Sequence, residues 1–308
     1  MTAVAEWQAT TKRYGDVTAV EQVSLRLEAG EATALVGHNG AGKTTLIKLL
    51  LGLIRPSEGS VVIGGVDPAG AQGAQARRKI GFLPENVAFH GAMTGNELMA
   101  FYARLKGEPV KRNAVLLARV GIAHAAHRRV ATYSKGMRQR LGIAQALIGE
   151  PRLLLFDEPT SGLDPDSRRE VYEMIDRLRE SGATVLISTH ALSEIEPRVE
   201  RIAIMHRGRL LAAGTLASLR SRLDADGRMR VRVRPCSSGK LLDMLPQTVR
   251  CAERSETTLT LLVPAHARMQ TLRAVMDAGE LVEDVEMSAP GLPELYAQLT
   301  GPAEEDVA

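Results

Sequence analysis

Ala32–Val36 is an apolar run that ends in Gly37-His38-Asn39-Gly40-Ala41-Gly42-Lys43-Thr44, and Lys43–Leu51 continues with helical patterning. A buried strand, a glycine loop and a helix in immediate succession leave few folds open. Such a strand is apolar on both faces, so its sheet needs a layer on each side. Three more short apolar runs, Ile80–Leu83, Leu153–Phe156 and Val185–Ser188, have the same character, and a helix expected over Asp166–Ser181 precedes the last. This alternation predicts an α/β fold class with a mainly parallel core sheet.

Two stretches depart from it. Val4–Leu27 holds two strand candidates around Gly15-Asp16, and Ile202–Ala212 reads as a hairpin turning at Arg207-Gly208. A small antiparallel β subdomain beside the parallel sheet accommodates both. Glu97–Ala146 is helical in pattern and is expected to form a separate helical lobe. After about Leu219 the character changes. Met229–Arg234 alternates strictly, which puts Met229, Val231 and Val233 on the buried face of a strand and three arginines on the other. A helix at Lys240–Leu245, strands at Val249–Glu253 and Thr258–Val263, a helix at Ala265–Ala278 and a strand at Leu281–Met287 complete a β-α-β-β-α-β order, that of the ferredoxin-like motif. Pro293–Leu299 is expected as a last helix and Pro302–Ala308 as an acidic tail that frays. The expected domains are residues 1–219 and a small α+β C-terminal domain, 220–308, in keeping with about two domains for a chain of 308 residues.

Aromatic residues make up only 3% of the chain, so the cores must be aliphatic. No stretch approaches the roughly 20 apolar residues of a membrane-spanning helix. Leu46–Ile54 comes nearest and contains Lys48. Met1–Trp7 lacks the basic-then-apolar pattern of a secretory signal, and two cysteines suggest neither a disulfide scaffold nor a zinc module. These features predict a cytoplasmic chain. Net charge is +3 from 39 Lys+Arg against 36 Asp+Glu; residues 220–308 hold 11 and 14 of these, leaving 28 and 22 in the first 219. A mildly basic first part suits a phosphate ligand or an anionic membrane surface, and does not by itself indicate nucleic acid.

The glycine loop fits the phosphate-binding pattern G-x-x-x-x-G-K-[ST], in the right context. Glycines at Gly37, Gly40 and Gly42 let successive backbone N–H groups, including those of His38, Asn39 and Ala41, turn toward phosphate oxygens, and the helix N-terminus adds its positive end. Lys43 would reach the β- and γ-phosphates, and the Thr44 hydroxyl, with Thr45 beside it, would ligate Mg²⁺. A second site is Leu153-Leu154-Leu155-Phe156-Asp157-Glu158, an apolar strand ending in two carboxylates. Hydrolysis of a bound nucleotide needs a metal partner and a group that deprotonates water. Asp157 would hold Mg²⁺ through water and Glu158 would be the base.

Between the two sites lies Tyr133-Ser134-Lys135-Gly136-Met137-Arg138-Gln139-Arg140, which resembles the signature motif of the ATP-binding cassette (ABC) ATPases. Ser161-Gly162-Leu163-Asp164 resembles that family's D-loop and Thr189-His190 its switch histidine, and Tyr14 stands where the family stacks an aromatic ring on adenine. The resemblance covers about residues 1–219 and implies an ATP-hydrolysing, Mg²⁺-dependent homodimer arranged head to tail. Lys43, Thr44 and Asp157 would bind Mg-ATP in one protomer, while Ser134 and Gly136 of the other cover the γ-phosphate. His190 would contact that phosphate and sense its loss, and Asp164 would couple the two sites. One departure is Glu85 in Ile80-Gly81-Phe82-Leu83-Pro84-Glu85-Asn86, where the family carries the Q-loop glutamine. A carboxylate can still ligate Mg²⁺ but donates no hydrogen bond at neutral pH. Lys135 replaces the usual signature glycine and adds a positive charge.

Gly81–Val87, Tyr133–Gly142 and Gly149–Leu155 resemble the branch of ABC ATPases that serves nitrous-oxide reductase maturation. That resemblance implies a role in copper-centre assembly, with a membrane permease, a periplasmic partner protein reached through it, and a place on the cytoplasmic face of the inner membrane. Asn86–Tyr102 would receive the permease. Drug- or lipid-exporting relatives share the Pro84-Glu85 variation and are the alternative. Cys236, Cys251 and the pair His124/His127 form no compact copper-ligand motif. A cassette ATPase acting on nucleic acid is the distant alternative, resting on Arg230, Arg232 and Arg234, and nucleic acid is not an expected partner.

Overall fold

The computed structural model describes residues 3–223 and 226–301. The tail Pro302–Ala308, expected to fray, lies outside them. Packing divides the chain into two units, Met1–Thr215 and Leu216–Ala308.

In chain order the first unit contains β1 Ala3–Tyr14, β2 Val17–Glu28, β3 Ala32–Val36, α1 Lys43–Leu50, β4 Glu58–Ile63, α2 Gly73–Arg78, β5 Ile80–Leu83, α3 Gly95–Lys106, α4 Asn113–Arg119, α5 Lys135–Ala146, β6 Leu153–Asp157, α6 Pro165–Glu180, β7 Thr184–Thr189, α7 Leu192–Ile195, β8 Arg201–His206 and β9 Arg209–Gly214. Six strands form one sheet in the order β5-β6-β7-β3-β8-β9. Its first five strands run parallel, and β9 pairs antiparallel with β8. β3, β6 and β7 are buried at every residue, as both-faced apolar runs require.

β8 and β9 correct one expectation. The hairpin extends the parallel sheet, with β8 alongside β3, and takes no part in the small antiparallel sheet, whose order is β2-β1-β4. The third strand there, β4, carries Gly59 and Ser60 in six residues and gave no strand pattern. Trp7 of β1 sits at the centre of this layer, buried, and its indole Nε1 donates to Leu46 O of α1 at 3.3 Å. Filling such a site with a side chain of this size contributes roughly 1.5–3 kcal/mol or more.

The helical lobe comprises α3, α4 and α5 with short 3₁₀ turns between them. α3 begins in a capping box: Thr94 Oγ1 accepts from Glu97 N, and the Glu97 carboxylate accepts from Thr94 N at 2.8 Å. It ends at Gly107, φ +78°.

The second unit adds α8 Leu216–Leu223, β10 Gly227–Val233, α9 Ser238–Met244, β11 Arg250–Arg254, β12 Thr258–Val263, α10 Arg268–Asp277, β13 Val282–Ser288 and α11 Leu292–Thr300. Its four strands lie in the order β11-β12-β10-β13, every pair antiparallel. Met229, Val231 and Val233 of β10 are buried against Leu241, Leu259 and Leu261, with the arginines of β10 on the solvent face. Gln298 Nε2 donates to Leu223 O at 2.9 Å and ties α11 to α8.

Candidate functional site

Strand register assembles the site. Val36 of β3 lies opposite Thr189 of β7, and Ser188 of β7 lies opposite Asp157 of β6. The loops that follow β3, β6 and β7 therefore emerge side by side at the carboxyl edge of the sheet, where open α/β sheets bind ligands.

After β3 the chain turns through residues 37–42 into α1. Gly42 caps α1 with φ +101°, and a Cβ there would lie 2.6 Å from Ala19 O, so the turn admits only glycine. Lys43 folds back over the loop. Its Nζ donates to Gly37 O at 2.6 Å and to His38 O at 3.2 Å, and the side chain is buried. The backbone of the loop and one ammonium thus form a concave, positive cradle at a helix N-terminus, which fits a polyphosphate. Asn39, Gly40 and Thr44 are exposed, Thr45 is half-buried and Ala41 is buried beneath them.

Glu158 follows β6 in the left-handed region, φ +47°, an unfavourable conformation for a residue with a side chain. Its carboxylate is 8% exposed and held from two sides. Oε1 stands 3.4 Å from Lys43 Nζ, and Oε2 accepts from His190 Nδ1 at 2.9 Å. Oε1 has no hydrogen-bond partner, so a buried acceptor faces the cradle with capacity to spare. Asp157 is buried beside it. Ser188, which sequence reasoning missed, joins the two acids: its Oγ accepts from Glu158 N at 2.9 Å and donates to Asp157 Oδ1 at 2.5 Å. The only signal was a hydroxyl at the carboxyl end of an otherwise apolar strand.

The structure thus brings Lys43, Asp157, Glu158 and His190 together. Ser134, Gly136 and Asp164 form a separate group. Ser134 Oγ caps α5, accepting from Met137 N at 3.2 Å, and Asp164 Oδ1 caps α6, accepting from Ser167 N at 2.9 Å. That bond holds the Asp164 carboxyl below its ordinary range. A Cβ on Gly136 would sit 2.7 Å from Ser167 Oγ, so the glycine lets the starts of α5 and α6 meet. Lys135 Nζ lies against Gly162 of the same group. Among the described residues no hydrogen bond or ion pair joins this group to the phosphate cradle. Tyr14 is half-exposed at the end of β1, with Lys12 Nζ 5.1 Å from its ring centre. Glu85 is exposed in the loop after β5, the strand next to β6.

His38 adds a feature that its place in the loop did not foretell. Its ring meets that of His206, at the end of β8, edge-on at 5.0 Å. Burial first, then the charges of His38 and Arg207, push the His206 imidazole below its ordinary value.

Mg²⁺ is bound by one or two carboxylates together with substrate phosphates and waters, without an all-protein cage. The hydroxyl of Thr44 and the carboxylate of Asp157 fit that donor set. Among the described residues no group of three His, Cys, Asp or Glu is arranged to hold a metal ion, and Cys236 and Cys251 are separate and exposed. No helix among them is long and apolar enough to cross a membrane.

Residues 20–161 match the family model described as ABC transporter. The linearmycin resistance ATP-binding protein LnrL of Bacillus subtilis is 38% identical over 219 residues, 70% of each chain. The daunorubicin resistance ATP-binding protein DrrA3 of Streptomyces coeruleorubidus is 35% identical over 299 residues, 94% of this chain and 93% of its own. A solved structure of the ATP-binding subunit of an ABC transporter superimposes with a TM-score of 0.65 at 32% identity, covering 71% of this chain and 92% of its own.

Proposed function

We infer residue roles and a cargo class from one premise: this chain belongs to the ABC transporter family, as an ATP-hydrolysing subunit. The observation that carries the roles is the buried Glu158 carboxylate, open at Oε1 toward the cradle and gripped by Lys43 and His190.

ATP lies with its phosphates in the loop 37–44 and its adenine against Tyr14. Thr44 and Asp157 would hold Mg²⁺, with the carboxylate of Glu85 as a further oxygen donor, and the ion would neutralise developing phosphate charge. Glu158 Oε1 takes the proton of the attacking water as its oxygen bonds to the γ-phosphorus and the bond to ADP breaks. His190 Nδ1 fixes the rotamer of that carboxylate, and its other ring nitrogen reaches the γ-phosphate only by donating an N–H. Ser134 and Gly136, at the start of α5, cap the nucleotide of the partner protomer, and Asp164 links the paired sites. The catalytic unit is therefore a head-to-tail homodimer. It docks on a membrane permease through the lobe that carries Phe89, Tyr102 and the half-exposed Phe101.

The cargo is an apolar drug-like molecule moved by export. Relatives named for linearmycin and daunorubicin resistance support this, and the 299-residue match to the latter extends through most of the second unit. Nothing in those relatives or in the described residues favours copper-centre assembly, so the export alternative displaces the nitrous-oxide reductase reading. The second unit serves as a ferredoxin-like module, supported by its antiparallel β11-β12-β10-β13 order. Replacing the chromosomal gene with its Glu158→Gln form tests the cargo. Lower tolerance to daunorubicin with intact nitrous oxide reduction is expected. Accumulation of nitrous oxide with unchanged drug tolerance would reinstate the copper reading.

A further inference from the structure

The first unit holds a cavity away from the phosphate cradle. It is a cleft of about 1180 Å³ at the opposite, amino-terminal edge of the main sheet, where β6 and β7 begin at Leu153 and Thr184. Leu153 opens the strand that Asp157 closes, which puts the cleft roughly 13 Å from the catalytic carboxylates. Its volume exceeds the roughly 300–1,000 Å³ usual for small-molecule sites.

Its lining divides by chemistry. The floor is apolar, built from Val4, Ile63, Val66, Leu116, Leu147 and Leu153. Along one wall Arg112, the N-cap of α4, and Val115, Leu116 and Arg119 of α4 form one stripe at i, i+3, i+4 and i+7 spacing, with Val115 68% exposed. Lys79 and Arg152 stand on the rim, giving four cations against Glu108 and Glu150. Arg112 is committed to Glu150 at 3.0 Å. The side chains of Lys79, Arg119 and Arg152 have no ion-pair or hydrogen-bond partner among the described residues. Asn113, also in the lining, is 5% exposed and its Nδ2 makes no hydrogen bond, an unmet donor of a kind that folded proteins rarely leave. The facing loop turns through Gly149, φ +80°, and Glu150, φ +49°, consecutive left-handed residues of the sort that shape ligand clamps.

We propose that this cleft binds a long-chain carboxylate amphiphile, its chain on the apolar floor and its head among Arg119, Lys79 and Arg152. Charge selects the head: three uncommitted cations with one unmet amide donor complement an anion, and a guanidinium fork matches a carboxylate. Apolar area selects the tail, because a chain laid along Val4, Ile63, Val66, Leu116, Leu147 and Leu153 gains from their desolvation. The site is separate from the phosphate cradle, and its test does not depend on the assignment of Glu158.

Titration of the full-length protein with the fluorescent fatty acid cis-parinarate tests this. One saturable site per chain is expected, with a dissociation constant of about 1–10 μM. The methyl ester, which lacks the charge, should bind about tenfold more weakly or worse. Val115→Glu and Arg119→Glu change exposed positions outside the nucleotide machinery. Each should weaken the acid about tenfold while ATP hydrolysis stays at the wild-type rate. Val115→Leu, which keeps that wall apolar, should bind as wild type. Absence of saturable binding, equal affinity for acid and ester, or wild-type affinity in both glutamate variants would overturn the proposal.

Discussion

Asp157 and Glu158 both lean on Ser188, whose hydroxyl bridges the amide of Glu158 and the carboxylate of Asp157. Ser188→Ala leaves Asp157 Oδ1 without that donor and loosens a left-handed residue that already carries strain. We expect kcat to fall about tenfold or more with the KM for ATP changed less than about threefold, the pattern of a group that positions the base. Folding stability should drop by about 1–3 kcal/mol in denaturant titration. Unchanged kcat would remove Ser188 from the positioning role. His206 makes a second test at this scale. Its imidazole is depressed by burial and by neighbouring positive charge, so the folded chain takes up this proton only at a lower pH than the unfolded chain. Below about pH 6.5 the unfolded state therefore binds more protons, and stability falls as the pH is lowered. Comparing unfolding free energies at about pH 8 and about pH 5.5, wild type should lose more than His206→Gln. Equal losses would exclude His206 as a source of that slope.

At the level of elements, the start of α1 is the tightest point. Gly42 sits at φ +101° with Ala19 O where a Cβ would go, and Gly208 N donates to Ala41 O at 3.1 Å from the β8–β9 turn. Gly42→Ala should therefore deform the cradle, weakening ATP binding at least about tenfold by calorimetry and costing roughly 1–3 kcal/mol of stability. Wild-type affinity would show that the loop tolerates the strain. The elements that build this edge were legible in the sequence because each carries its own signal: β3, β6 and β7 are unbroken apolar runs, and the alternation of Met229, Val231 and Val233 marked β10. β4 was not legible, since Gly59 and Ser60 interrupt a strand whose pairing with β1 alone defines it. The hairpin at Arg207-Gly208 was visible, yet its sheet was not. Adjacency of β8 to β3 depends on a long-range register that local pattern does not contain. The same limit hid Ser188. Lys43, Asp157, Glu158 and His190 were legible as motif residues, whereas a bridging hydroxyl is recognised only once β6 and β7 lie in register.

For the whole molecule, the proposed roles make hydrolysis the property of a pair. One chain holds Lys43, Asp157, Glu158 and His190 in contact, while Ser134, Gly136 and Asp164 stand in a separate group built on α5 and α6. In the proposed head-to-tail homodimer two copies would join those groups twice over, and ATP hydrolysis would let them separate again. The second unit has its own aliphatic core around Met229, Val231 and Leu261. The most direct measurement is phosphate release and molar mass by light scattering on the purified Glu158→Gln protein with Mg-ATP. ATP binding as in wild type is expected, with turnover lowered about 100-fold or more and a dimer that persists as long as ATP is present. Hydrolysis within about twofold of wild type, with no ATP-dependent dimer, would contradict the proposed roles.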